Sequence, residues 1–388
     1  MSSLLDTRSP LTESMIRIDR ITLREIHLPL REPFRISSGV VANRRIALLE
    51  LHEVDGVTGW SECVAMEQPN YSPETIDTAW YAITEWVAPR VLGRSFADPR
   101  DVFPVLEHDF RGHLMAKAAV EMGMWVAAAE RARIPLAALL GGTRSEIETG
   151  ISLGIQSSPA ALVARARDAI ALGYRKVKIK IQPGADIAYV SAARDALGAS
   201  APLMADANNA YTLADADHLA ELDRLDLMMI KQPLAWDDLL QHATLQRRLS
   251  TPICLDESIT SLDRARDMVA LQSGRIVNIK PGRVGGFRQS IAIHDFCLAN
   301  GIPVWCGGML ESGVGRACNV ALASLSNFTK PGDLSPSARY WERDVVTPEW
   351  TMSTAGMVRV PLDRPGLGVD VDLDRIENLT VRKVVVGQ

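Results

Sequence analysis

Residues 174–183 read YRKVKIKIQP, in which Lys176, Lys178 and Lys180 alternate with Val177, Ile179 and Ile181. Alternation with period two marks a β-strand, because successive side chains point to opposite faces. Taken alone, the stretch suits a half-exposed strand with its lysines in water. The surrounding chain changes that reading. From about residue 148, short β-branched runs recur: TGISLGI (149–155), KVKIKI (176–181), PLMADAN (202–208), DLMMIKQP (226–233), PICLDES (252–258), RIVNIKP (275–281) and PVWCGG (303–308). Stretches of helical length, such as PAALVARARDAIALG (159–173), separate them. Strand and helix in regular alternation mean βα units around a parallel sheet. Seven units in a row favour a closed (β/α) barrel over an open doubly wound sheet. No GxGxxG follows the first strand, which weakens a dinucleotide-binding reading.

In such a barrel one strand face meets the helices and the other the interior. Val177, Ile179 and Ile181 suit the helix side, so the three lysines point inward. Ammonium groups fit there only near the mouth, where barrel active sites lie. Lys178 and Lys180 are nearest the C-terminal end of their strand and are the candidates. Other strands also end in polar residues: Asp206 and Asn208, Lys231 and Gln232, Asp256 and Glu257, and Lys280. Helix capping would account for Asp256 by itself, but the repetition describes a ring of charge. Lys178 and Lys180 lie four strands from Lys280 in an eight-stranded barrel, so they face it across the mouth. A lysine beside another cation loses its proton more readily and becomes a base near neutral pH. One base on each side of a carbon can remove a proton from one face and return it to the other. Acidic groups between them would hold a cation that stabilises enolate oxygens.

The remaining sequence frames this barrel. The chain has 388 residues, 47% of them hydrophobic and 23% charged, with a net charge of −5. That gives no reason to expect nucleic acid or an anionic membrane as partner. No run approaches a membrane span. The opening MSSLLDTRSPLTESM lacks a basic region followed by an apolar one, so no secretory signal is expected and a cytoplasmic protein is the default. Five scattered cysteines form no CxxC pair and read as buried thiols. RRIALLELHEVDGVTGWSECV (44–64) reads as a hairpin about Asp55-Gly56, SPETIDTAWYAITEWVAPRVL (72–92) as helix with Ser72 as N-cap, and MAKAAVEMGMWVAAAERAR (115–133) as another helix. TVRKVVV (380–386) reads as a strand returning to the N-terminal strands. The expected organisation is a flexible tail (1–16), an α+β capping domain (17–145), a (β/α)7β TIM-like barrel (146–330) and a C-terminal segment (331–388) that rejoins the cap.

With these residues in place the sequence resembles the enolase superfamily, in its muconate-lactonizing-enzyme subgroup, and within it the N-acylamino-acid racemase and o-succinylbenzoate synthase group. The resemblance runs through GWSECVA (59–65), KIKIQPG (178–184), ADANNAY (205–211), QPLAWDDLLQHA (232–243), CLDESI (254–259), NIKPGRVGG (278–286), WCGGMLESGVGRA (305–317) and PGLGVDVD (365–372). It implies that Lys180 and Lys280 are opposed acid/base lysines and that Lys178 tunes Lys180 and meets the substrate carboxylate. It implies Asp206 and Asp256 as ligands of Mg²⁺ or Mn²⁺, hard cations that prefer oxygen. Ser152, Asn208, Glu257, Gly307, Gly308, Met309, Glu311 and Tyr71 are implied as substrate contacts. The FRISSGVVANR loop (34–44) and the loop near Met66–Tyr71 would close over the mouth. The implied substrate is a small carboxylate, either an N-acylamino acid to be racemised or a succinylated cyclohexadiene acid to be dehydrated, and a homo-oligomer is expected.

One residue departs from the resemblance. The third acidic ligand is expected at the end of strand four, as IEQP, and this chain has IKQP with Lys231. Two unit charges ~4 Å apart repel by about 4 kcal/mol at an effective dielectric near 20, so Lys231 and a divalent ion should compete. Lys231 would pair with Asp206 and Asp256 in place of the metal, or swing away and leave coordination to Asn208, Glu257 or water. Impaired metal binding is the favoured expectation. A weakly active or non-catalytic carboxylate binder is the competing one.

Overall fold

The computed structural model describes residues 15–36 and 39–387; the expected tail lies outside them except for Met15 and Ile16. Seven short parallel strands form one sheet in sequence order: Ile151–Leu153, Val177–Lys180, Leu203–Asp206, Ile230–Lys231, Ile253–Leu255, Ile276–Ile279 and Val304–Cys306. These are the first to seventh barrel strands below. Residues 330–334 complete the ring. The Asp333 N–H donates to Cys306 O at 2.9 Å, Gly332 N–H to Glu148 O at 3.0 Å, and Gly150 N–H to Gly332 O at 2.7 Å. The seventh strand is thereby linked to the approach to the first through an irregular segment, which closes the expected (β/α)7β barrel.

Val177, Ile179 and Ile181 belong to the large apolar core between sheet and helices. Lys176, Lys178 and Lys180 lie on the opposite face and are buried. The barrel floor is Met204, Met229, Cys254, Ile276 and Trp305. Lys176 ends on it, 3.6 Å above the Trp305 ring centre, with Nζ donating to Pro331 O at 2.6 Å. That arrangement gives a deep ammonium a π-face and a carbonyl in place of water.

The cap is an antiparallel sheet. The strand Ile16–Ile36 lies between Gly39–Glu53 and the C-terminal strand Thr380–Gly387, and Thr58–Cys63 adds to the second strand's outer edge. Both chain ends therefore meet in one sheet. The stretch expected as a loop (34–44) is instead the far end of this hairpin, with Phe34 paired to Val41. Residues 37 and 38 lie outside the described residues. The first cap helix also differs from expectation. It starts at Ile76 with Thr75 as N-cap in a reciprocal box with Thr78, and Ser72 bonds to Glu74 instead. Glu74 in turn caps the long helix Leu114–Ala132, accepting from Met115 N at 2.8 Å and Ala116 N at 3.1 Å. All five cysteines are buried and unpaired, and no helix among the described residues is long and apolar enough to cross a membrane.

Cap and barrel are joined through Glu121 on that long helix. Its carboxylate accepts from Trp125 Nε1 at 2.7 Å and from the N–H groups of Phe287 (2.8 Å) and Arg288 (2.9 Å), which begin a barrel helix, Phe287–Ala299. Burial pushes the Glu121 carboxyl up to about 7, against the pull of those donors. The folded state thus holds its proton more tightly than the unfolded chain does. The contribution is full below the ordinary carboxylate range and is lost as pH rises through about 7. Replacing Glu121→Gln is expected to flatten the fall in stability between about pH 5 and about pH 8, read by urea unfolding. Glu121→Ala should cost about 2–4 kcal/mol at either pH, because it strands buried N–H donors.

Candidate active site

The C-terminal ends of the barrel strands and the overhanging cap enclose one pocket. Its lining includes Ser152, Lys178, Lys180, Asp206, Asn208, Lys231, Lys280, Gly308, Met309, Glu311 and Tyr71 from the sequence-derived set. Asp256, Glu257 and Gly307 stand just behind this wall. The neighbouring strand ends also carry strained backbone: Asn208, Asn209 and Gln232 all have positive φ (43°, 64° and 40°). Such left-handed residues turn the chain sharply away from the strand and leave the preceding side chain aimed at the mouth.

Parallel register places the charges. Lys180 pairs across the sheet with Asp206, and Asp206 with Lys231. The result is a continuous string of alternating charge. Lys180 Nζ donates to Asp206 Oδ2 at 2.7 Å. Lys231 Nζ donates to Asp206 Oδ1 at 3.2 Å and lies 2.6 Å from Asp256 Oδ2. Lys280 Nζ lies 3.0 Å from the same Asp256 oxygen. Lys231 is 1% exposed, and both aspartates are fully buried. Glu257 is more distant, 3.7 Å from Lys231, and accepts from Asn208 Nδ2 at 3.2 Å.

Two charged groups that the sequence reading did not assign complete the network, and a tyrosine adds to the pocket wall. Asp333 takes Lys178 Nζ on one oxygen and has Lys176 Nζ 3.2 Å from the other. Arg283, one helical turn after Lys280, donates to Asp256 and, from Nε at 2.9 Å, to Ile259 O. Tyr340 lines the pocket beside Asp333. Arg283 stood within the quoted PGRVGG, where its i+3 spacing from Lys280 was the available signal. Asp333 lies in PGDLS, which has no strand pattern to mark it.

From the cap, Tyr71 reaches into this network. Its hydroxyl donates to Asp256 Oδ1 at 2.7 Å and accepts from Lys280 Nζ at 2.9 Å, whose ammonium also sits 4.2 Å over the ring. Phe34, Val41, Met66, Met309 and Leu310 supply apolar wall. Glu311 faces its own loop, accepting from Met309 N at 2.7 Å and Asn319 Nδ2 at 2.8 Å. Gly307 is required by space: a Cβ there would come within 2.7 Å of Lys280 Cε and 2.5 Å of the Asn278 amide. Ser152 Oγ is buried without a hydrogen-bond partner.

The four pocket ammoniums are set apart by their surroundings. Burial lowers Lys180 to about 8, helped by the like charges of Lys178 and Lys231 and opposed by Asp206. Burial likewise lowers Lys280, with Lys231 and Arg283 adding to the effect and Asp256 opposing it. Lys178 is also desolvated, but Asp333 and Asp206 reverse the effect and hold it above the ordinary lysine value. Lys231 is desolvated too, and Asp206, Asp256 and Glu257 hold it well above that value. Two lysines are therefore tuned toward neutral amines and two toward fixed cations.

This donor set does not fit a divalent ion. Each aspartate already has both oxygens engaged: Asp206 by Lys231 and Lys180, Asp256 by Tyr71 and Arg283 on one side and Lys231 and Lys280 on the other. An ammonium stands between them, where the third carboxylate of a metal site was expected. Among the described residues no three or more His, Cys, Asp or Glu side chains converge as a ligand set.

Comparison with known proteins follows the same outline. Residues 18–141 match the mandelate racemase / muconate lactonizing enzyme N-terminal domain, and residues 161–375 match the enolase C-terminal domain-like family. The chain is 47% identical to an o-succinylbenzoate synthase of Geobacillus kaustophilus, covering 94% of this chain and 96% of that protein. It is 45% identical to an N-succinylamino acid racemase of Thermus thermophilus, covering 94% and 98%. Among solved structures, an enolase superfamily member from Listeria innocua superposes with a TM-score of 0.92 at 38% identity, over 96% of this chain and 99% of that one.

Among the described residues, Asp333 is the sole carboxylate within 4 Å of Lys176 and the nearer of two for Lys178. Burial raises its carboxyl, and the two ammoniums overcome this and hold it at about 2. Asp333→Ala leaves the deep Lys176 charge without a counter-ion. It is expected to lower unfolding free energy by about 3–5 kcal/mol, the usual cost of breaking a buried pair, measured by urea denaturation. A change below about 1 kcal/mol would show that Pro331 O and the Trp305 ring suffice for Lys176.

Proposed function

The chain belongs to the mandelate racemase / muconate lactonizing enzyme family of the enolase superfamily, and within it we propose that this protein removes the proton α to the carboxylate of an N-acylamino acid and returns it on the opposite face. N-succinylamino acids are the substrate class that the named relatives support. The observation that carries the reading is the pairing of Lys180 and Lys280. They come from the second and sixth barrel strands, line one pocket, each lean on their own aspartate, and both have lowered proton affinity.

The residues divide the work. The neutral amine of Lys180 takes the α-proton from one face, and the C–H electron pair moves into the carboxylate as an enolate. The ammonium of Lys280 supplies a proton to the other face, and the electron pair returns to carbon. The reverse reaction exchanges the two roles. Lys178 remains an ammonium and is placed to pair with the substrate carboxylate. Ser152 offers a hydroxyl donor to the bound acid. The apolar wall of Phe34, Val41, Met66 and Leu310 receives the amino-acid side chain or the acyl chain and keeps water from the enolate.

The 47% identity to the Geobacillus enzyme favours a second reading in the same pocket. In o-succinylbenzoate synthesis Lys180 would take the proton and hand it to the departing hydroxyl on the same face, leaving as water. Lys280 would then act only as a cation.

Incubation of N-succinyl-L-phenylalanine in D₂O, followed by proton NMR, tests the assignment. The unmodified protein is expected to exchange the α-proton and form the D-isomer. Lys180→Ala and Lys280→Ala should each abolish racemisation while retaining exchange on one stereoisomer, and the retained isomer should differ between them. Normal racemisation by both variants overturns the two-lysine reading. Exchange surviving Lys280→Ala on both isomers, together with turnover of the cyclohexadiene acid, would favour the dehydration.

A further inference from the structure

We propose that the Lys231 ammonium is the resident cation of this active site: it replaces a divalent metal between Asp206 and Asp256 and polarises the substrate carboxylate, so the chemistry runs without a metal ion. The inference rests on the reading of the pocket as a site of α-proton removal.

Position comes first. Lys231 ends the fourth strand, midway between the third and fifth, whose ends carry Asp206 and Asp256. Its Nζ is 3.2 Å from one carboxylate and 2.6 Å from the other, so it occupies the point at which their two fields converge. A cation at that point is a structural necessity, because two buried carboxylates facing each other repel unless something positive lies between them. Lys231 meets this need from within the chain.

Donor count comes second. An ammonium carries three N–H bonds. One donates to Asp206 Oδ1 at 3.2 Å, and the ammonium pairs ionically with Asp256 Oδ2 at 2.6 Å. Glu257, at 3.7 Å, is beyond hydrogen-bond reach. Lys231 also lines the cavity, so its third N–H can meet a carboxylate oxygen of the substrate. A charged donor strengthens as that oxygen gains enolate charge, which is the differential binding that lowers a barrier.

The surroundings come third. Lys180, Lys178, Lys280 and Arg283 all lie against the same two aspartates. A divalent ion entering here would displace Lys231 into a wall that already carries these four cations, with Glu257 3.7 Å away. The substitution thus changes more than one ligand: it fills the ion's place and closes its approach.

The test pairs binding with exchange. Calorimetric titration of the unmodified protein with MgCl₂ should show no binding up to millimolar concentration. Its α-proton exchange on N-succinyl-L-phenylalanine should be unchanged within twofold by EDTA or by added Mg²⁺. Lys231→Glu should gain Mg²⁺ binding, and its exchange should become EDTA-sensitive. Lys231→Met, with Lys231→Gln as a second neutral variant, should lose about 10²–10³ in exchange rate, the usual loss for one electrostatic element, and Mg²⁺ should not restore it. Submillimolar Mg²⁺ binding by the unmodified protein, loss of its exchange in EDTA, or full activity in a folded neutral variant would each overturn the proposal. If neither the unmodified protein nor Lys231→Glu exchanges any N-succinylamino acid, the functional reading fails. The two calorimetric titrations then still decide who holds the cation position, and failure of Lys231→Glu to bind Mg²⁺ would count against the proposal.

Discussion

A charge taken out of water must find an opposite charge or lose its proton, and this barrel mouth is built around that constraint. Lys180, Asp206, Lys231, Asp256 and Lys280 form a single string in which each member is a neighbour's counter-ion. None could be buried alone. The string spans the second to the sixth strand, so its spacing is that of the sheet itself, and register becomes electrostatics. Moving one strand by one residue would turn its ionic side chain toward the apolar helix layer.

The same string explains how the cap belongs to the site. Tyr71 is a cap residue, yet its hydroxyl bridges Asp256 and Lys280. Phe34 and Val41 stand at the far end of a hairpin whose other end pairs with the C-terminal strand. Glu62, on the cap strand Thr58–Cys63, accepts from the hydroxyl and N–H of Ser312 and steadies the loop that carries Gly307–Glu311. Cap and barrel therefore meet through polar bonds close to the chemistry as well as through the apolar core, and a disturbance of either body reaches the lysines.

What the sequence made legible follows from period and repetition. KVKIKI announced both faces of its strand, because the apolar members needed a core and the lysines needed a mouth. The parallel sheet and the return of TVRKVVV to the first strand were readable for the same reason: each run carried its own periodicity. Asp333 was not legible, since the closing segment of the barrel is irregular and is held by single backbone bonds to Cys306, Glu148 and Gly150. The hairpin at 34–44 was hidden by Gly39 and the serines before it, which mimic a loop. Ser72 looked like a cap because Pro73 follows it, but Thr75 and Thr78 satisfy each other better, and the helix starts there. Asp333 was lost to partners far away in sequence, whereas the hairpin and the helix start turned on bonds only a few residues apart.

Lys231 carries a last consequence for how such a protein comes into being. A positive charge delivered by the ribosome arrives once per chain, at fixed stoichiometry, and is seated as the barrel closes. Folding and charging the site become a single event. With Lys231 as the proposed resident cation, such a molecule has no unloaded state to populate and nothing to lose on dilution. In exchange, its electrostatic strength is written into one codon and cannot be raised by the surroundings.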